Sequence, residues 1–169
     1  SASANATIVD GDATVAIIDD DTAGNRVTPT SLTVREPSGR LPFIIALASQ
    51  PESPVTVSLT SSDPTACSVP ASVVLTAQSW RSGMVVPVTA VDDDVVDGNQ
   101  PCTIQTVVSS TDPNYNGMAM TDVNVTVQSE DVAGVTITPS APIVREPNGA
   151  TLITVTLTSQ PVAPVQIAL

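Results

Sequence analysis

The chain contains neither histidine nor lysine, only two cysteines (Cys67 and Cys102) and only three aromatic residues (Phe43, Trp80 and Tyr115). Each absence excludes something. Without histidine there is no Ser–His or Cys–His nucleophile pair, and no nitrogen or thiolate cluster for zinc or iron. Asp92 and Asp93 have the chemistry of an acid–base pair, but no nucleophile accompanies them, so no enzyme is expected. The only cations are Arg26, Arg35, Arg40, Arg81 and Arg145, against a net charge of −12. With no basic patch to neutralise phosphates, neither nucleic acid nor an anionic membrane surface is an expected partner. No apolar run reaches the roughly 18–20 residues of a spanning helix, so direct membrane insertion is not expected either. The sequence lacks an initiator Met and a signal-like start, and reads as an internal piece of something longer.

What is present is β-branched residue, proline and acid. With so few aromatics the core has to be Val, Ile, Leu and Ala. Fifteen prolines and few helix formers point to short strands joined by many turns. No helical periodicity is visible, and the class is all-β.

Residues 27–59 align without gaps on residues 137–169, with 14 of 33 positions identical and an offset of 110, as between Glu36 and Glu146. Upstream, residues 11–24 fall on 121–134 at the same offset. The expected organisation is the closing part of a first repeat (1–24), one complete repeat (25–133) and the opening part of a third (134–169). No Gly/Ser linker separates them, which suggests a semi-rigid string of modules.

Period-two alternation is clear at Val55, Val57 and Leu59, and again at Val123, Val125 and Val127. It predicts strands at roughly 26–35, 41–49, 53–61, 72–76, 83–91, 102–109 and 121–129. Seven strands, each with one apolar face, describe an immunoglobulin-like sandwich. In that topology the turn at Glu36, the stretch Asp92–Gly98 and the end of the last strand (Glu130, Asp131) share one pole. These are the acid-rich points of the repeat.

The most acidic of them, Val91–Gly98, reads VDDDVVDG, with no basic residue between Arg81 and Arg145. Together with the strand ending in Val34-Arg35-Glu36 and the unit-closing ATVAIIDDDTAG at 13–24, it resembles the acidic motifs of Calx-β domains. PASVVLTAQSW (70–80), AVDDDVVDG (90–98) and DPNYNG (112–117) are similar to the long tandem Calx-β-like arrays of surface and secreted proteins. The resemblance implies a seven-strand sandwich that binds Ca²⁺ at its distal loops. Carried over by position, the ligands are Glu36, Asp92, Asp93, Asp97, Glu130 and Asp131, followed by Asp94 and Asp63. Partial sites fall at Asp19, Asp20 and Asp21 and at Glu146. Two departures from the family pattern reduce the acid count: the closing triplet is Ser129-Glu130-Asp131, and Gln100 stands where another acid is frequent.

Calcium also fits the residues themselves, because it takes roughly six to eight oxygens in a tolerant geometry. The blander reading of the acidic loop is a solvated turn that aids solubility. Arg35 and Arg145 precede the two glutamates either as ion-pair partners or as strand-end arginines facing water.

Cys67 and Cys102, 35 positions apart, read either as a disulfide or as two buried thiols. A bridge would stabilise by roughly 3–4 kcal/mol in the chain-entropy model and suits a secreted protein. Asn5-Ala6-Thr7 and Asn124-Val125-Thr126 are N-glycosylation acceptor motifs. Trp80 is expected to cover an edge of the core, and Tyr115 either packs under its turn or contacts a partner.

The function expected from this reading is a non-enzymatic, calcium-rigidified structural or adhesive repeat of a large extracellular surface or filament protein. Its partners would be neighbouring repeats, with other surface or filament proteins or glycans as further candidates. A regulatory calcium sensor and a carbohydrate- or protein-binding module are the alternatives.

Overall fold

The computed structural model describes residues 14–168, and the acceptor motif at Asn5 lies outside them. Eleven strands and no helix are found among these residues, so no helix is long and apolar enough to cross a membrane. The strands are β1 (Asn25–Thr28), β2 (Ser31–Arg35), β3 (Arg40–Leu47), β4 (Val55–Ser61), β5 (Cys67–Ser68), β6 (Ser72–Leu75), β7 (Met84–Ala90), β8 (Gln100–Ser110), β9 (Val123–Gln128), β10 (Val135–Pro139) and β11 (Ile153–Leu157). A four-stranded sheet in the order β1-β3-β7-β5 packs on a five-stranded sheet in the order β2-β9-β8-β4-β6. This is an immunoglobulin-like β-sandwich.

The strand count differs from the expected seven in two places. The expected first strand, 26–35, is two strands, with β1 antiparallel to β3 and β2 parallel to β9. Pro29 has no N–H to give to a ladder, so pairing stops there and the chain changes sheets. The second addition is β5, two residues that pair with Thr89 and Ala90 of β7. A segment that short has no alternation to read.

Alternation buries one face of each long strand. Phe43 and Ile45 of β3, Val86 and Val88 of β7, Val55 and Val57 of β4, and Ile104, Val123 and Val127 from β8 and β9 form one core. Burying each such side chain contributes about 1.5–3 kcal/mol relative to leaving it in water. Trp80 packs, half-buried, on the edge of that core. Tyr115 is buried inside it. Its hydroxyl donates to the Ser49 carbonyl at 2.6 Å and accepts the Ser49 N–H at 3.3 Å. Asp112 Oδ2 accepts the Glu52 N–H at 2.9 Å. The turn between β3 and β4 is thereby pinned to the turn between β8 and β9, at the pole opposite Glu36.

Cys67 and Cys102 form a disulfide with a Cα–Cα distance of 6.3 Å. Because β5 belongs to one sheet and β8 to the other, the bridge ties the two layers together near the acidic end of the sandwich.

Beyond the sandwich, β10 and β11 form a two-stranded antiparallel ladder. Val135 pairs with Leu157 and Ile137 with Val155, as Asn25 pairs with Leu47 and Val27 with Ile45. Residues 14–24 carry no strand, although the resemblance implies the closing strand of a repeat there, and residues 141–145, the counterpart of β2, carry none either. A strand exists only when a neighbour takes its N–H and C=O groups, and β2 has that neighbour in β9.

Replacing both cysteines by alanine is expected to lower the unfolding free energy by about 2–4 kcal/mol, read as an earlier urea midpoint. An unchanged midpoint would show that the bridge contributes nothing to holding the sheets together.

Candidate metal centre

Three turns define the acidic pole, and local hydrogen bonds hold each in place. The first follows β2. The Glu36 N–H donates to the Gln128 carbonyl at 3.0 Å, carrying the parallel β2–β9 pairing one residue further. Glu36 is thereby set beside Ser129, Glu130 and Asp131, which leave the end of β9. Its own turn closes tightly, with Gly39 N–H on the Arg35 carbonyl at 2.6 Å. A Cβ at Gly39 would collide with that carbonyl, and the same holds for Gly149 against Arg145. The shared glycine of the two VREPxG motifs is therefore a requirement of close approach.

The second turn is tied to the first, because Ala90 N–H donates to the Gly39 carbonyl at 2.9 Å. From there the chain enters Val91–Gly98. Asp93 Oδ1 accepts the Val95 N–H at 2.8 Å, a local turn that bends the loop. Gly98, at φ 78°, turns it back into β8 in a conformation that side chains with a Cβ rarely adopt. At the third segment the Ser129 hydroxyl donates to Asp131 Oδ2 at 3.3 Å and accepts the Asp131 N–H at 3.2 Å.

The electrostatic result is concentrated on Glu36, whose exposure is only 7%. Burial pushes its carboxyl above the ordinary value of 4.5, and the charges of Asp93, Glu130, Asp131 and Asp97 push it further the same way. Every charge acting on it is negative. Among the described residues, two buried side-chain oxygens accept no hydrogen bond: Oε2 of Glu36 and Oε2 of Glu130. A buried carboxylate oxygen normally has a donor or a cation against it, since leaving it bare costs desolvation free energy with nothing in return.

The structure thus brings Glu36, Asp93, Asp97, Glu130 and Asp131 to one pole. It does not close them into a cage: among the described residues no three His, Cys, Asp or Glu side chains are gathered tightly enough to grip an ion. They are neighbours in charge but not yet in coordination. The donor set fits a hard cation, being all carboxylate, with two oxygens bare and buried.

The remaining residues singled out from sequence lie elsewhere. Asp92 is exposed and is not among the charges acting on Glu36. Asp94 is also exposed, and its carbonyl accepts the Gln160 N–H at 2.6 Å. Asp63 caps its own turn, with Oδ1 accepting the Thr65 hydroxyl at 2.6 Å and the Thr65 N–H at 3.0 Å. Those bonds pull its carboxyl below its ordinary 3.8. Asp19, Asp20 and Asp21 are exposed, with Asp19 Oδ1 accepting the Asp21 N–H at 3.0 Å. Glu146 is exposed on the counterpart of the Glu36 turn. Asn124 is exposed on β9, and Arg35 and Arg145 both face solvent.

No protein-family model matches the chain, and no curated protein matches it. Among solved structures it is similar to the apo form of the Calx CBD1 domain, at 15% identity and a TM-score of 0.48, over 66% of this chain and 100% of that one. It is likewise similar to an ASH/PapD-like domain of human CEP192, at 11% identity and a TM-score of 0.48, over 75% and 99%. A C. elegans MSP family member, WR4, follows at 14% identity and a TM-score of 0.40, over 62% and 96%. At these values the likenesses carry no argument about function.

A carboxyl raised on folding contributes stability that is complete below its ordinary value and is lost as the pH rises through its raised one. Asp63 has the opposite sign: its contribution is present above its ordinary value and lost as the pH falls through its lowered one. Comparing Glu36→Gln with the wild type cancels the Asp63 term. In EDTA at neutral pH the Gln variant is expected to melt higher than wild type. Below about pH 4 the two should coincide, because Glu36 is then neutral. A Gln variant that melts lower at neutral pH would show that the Glu36 charge is satisfied within the fold.

Proposed function

We propose that the chain is a non-enzymatic structural or adhesive repeat module of a large extracellular surface or filament protein, rigidified by Ca²⁺ at its acidic pole. The observation that carries this reading is the pair of bare, buried carboxylate oxygens on Glu36 and Glu130, set in a field of like charge. Glu36, Asp93, Asp97, Glu130 and Asp131 would hold the ion, and Asp92 lies on the same loop. A bound divalent cation supplies the positive charge that the pole lacks. The chain's own contribution is the scaffold: β2, β7 and β9 deliver three acidic turns to one end, and backbone hydrogen bonds fix two of them to each other.

Tandem organisation is supported by the pairing of β10 with β11, which repeats that of β1 with β3 at the 110-residue offset found in the sequence. The VREP motif and its glycine turn recur at the same offset. An extracellular setting is supported by the disulfide and by the absence of free thiols among the described residues. Neighbouring repeats are the first partners. Other surface or filament proteins, and glycans, are the further ones, and Asn124 is exposed and available for N-glycosylation.

A regulatory sensor would use the same ligands differently, opening on calcium instead of stiffening. Thermal unfolding separates the outcomes. With millimolar Ca²⁺ the melting temperature is expected to rise above its value in EDTA, and Glu36→Gln should lose most of that rise. A melting temperature indifferent to Ca²⁺ would remove the calcium reading. A large rise at micromolar Ca²⁺ with a compact-to-open change in solution would favour the sensor.

A further inference from the structure

The acidic loop has a second face. Val95 forms an isolated parallel β-bridge with Gln160, and the Gln160 N–H donates to the Asp94 carbonyl at 2.6 Å. Asp93 and Asp97, on either side of this bridge, are two of the charges acting on Glu36. Val96, between them, lines an apolar cleft of about 520 Å³ together with Val135, Leu157, Pro161, Val162 and Val165. The residues that load the pole with charge and those that touch the following unit thus share one short loop.

The receiving segment is Ser159-Gln160-Pro161, and the same three residues stand at Ser49-Gln50-Pro51, again 110 positions earlier. In the complete sandwich that turn lies at the pole opposite Glu36. There Tyr115 pins Ser49 while Gln50 is left exposed. A bridge between the loop of one unit and the Ser-Gln-Pro turn of the next sets the two head to tail.

We infer that the Ser-Gln-Pro turn is the docking socket for the acidic loop of the preceding repeat, and that docking and cation binding at that loop are coupled. The backbone bridge at Val95 fixes the loop from outside, so Asp93 and Asp97 are pre-positioned toward Glu36 and Glu130. A loop held in one conformation loses less freedom when it takes an ion. By linkage, an ion that orders the loop strengthens docking by the same factor. Gln50 would receive the loop of a preceding repeat in the same way. The coupling rests on the calcium reading above, whereas the docking does not.

Two variants test it in the full chain. Gln160→Pro removes the N–H that reaches Asp94, and Val96→Ser trims the side chain that enters the cleft. Neither touches a carboxylate. Calorimetric titration with Ca²⁺ reads affinity. Residual dipolar couplings of amides in β3–β9 and in β10–β11 report whether the two parts share one alignment tensor. The expected result is that both variants bind Ca²⁺ about fivefold or more weakly and need two tensors, while the sandwich melts in EDTA as the wild type does. Wild-type affinity in both variants would overturn the coupling. A single shared tensor in both variants would overturn the docking. A wild-type chain that takes up no Ca²⁺ overturns the metal reading and the coupling with it. In that case one wild-type tensor in EDTA that splits in both variants still supports the socket.

Discussion

A buried carboxylate surrounded only by its own sign of charge is the constraint on which the rest of this molecule turns. Glu36 is held in place by the Gln128 carbonyl and by the tight turn onto Gly39, not by any attraction to what surrounds it. The sandwich core and the disulfide between its sheets supply the stability that this arrangement consumes. Five carboxylates at one end of a domain repel one another by an amount that salt and water screen only where they reach. At Glu36 and Glu130 each has an oxygen that water does not reach. The fold therefore stores an electrostatic cost that one cation of modest size would relieve.

The same geometry gives the pole a direction. The acidic end of the sandwich meets the turn at Gln160 through the backbone of Asp94 and Val95. The opposite end is closed by Tyr115 and Asp112 over Ser49 and Glu52. One pole is loaded with negative charge. The other is pinned by hydrogen bonds and carries the Ser-Gln-Pro turn. In the proposed string of such units, stiffness would be decided at the acidic joint.

Much of this was legible in the chain. Alternation located the long strands because each buries one face, and running seven strands end to end put the turn at Glu36, the whole stretch 92–98 and Glu130–Asp131 at one pole. Other features were hidden for physical reasons. The split of the first strand was marked by Pro29, whose missing donor is visible in sequence, but the parallel pairing of β2 with β9 is a long-range choice that no local pattern records. The pairing of Cys67–Ser68 with β7 is too short to alternate. The Asp63-Pro64-Thr65 turn satisfies its carboxylate locally, and charge counting alone cannot distinguish it from a ligand. Asp92 and Asp94 carry the same charge as Asp93, yet only Asp93 lies close enough to act on Glu36. The bridge at Val95 is made by backbone, which carries no residue-specific signature.

The most direct test is the titration of Glu36 itself, followed through its side-chain carboxyl carbon by NMR in EDTA and again in saturating Ca²⁺. The account predicts a pKa above the ordinary 4.5 without the ion, because burial and four neighbouring acids oppose the charge. In Ca²⁺ the same carboxyl should titrate below that value, because a cation now favours its ionised form. A titration curve that is identical in the two conditions would contradict the account.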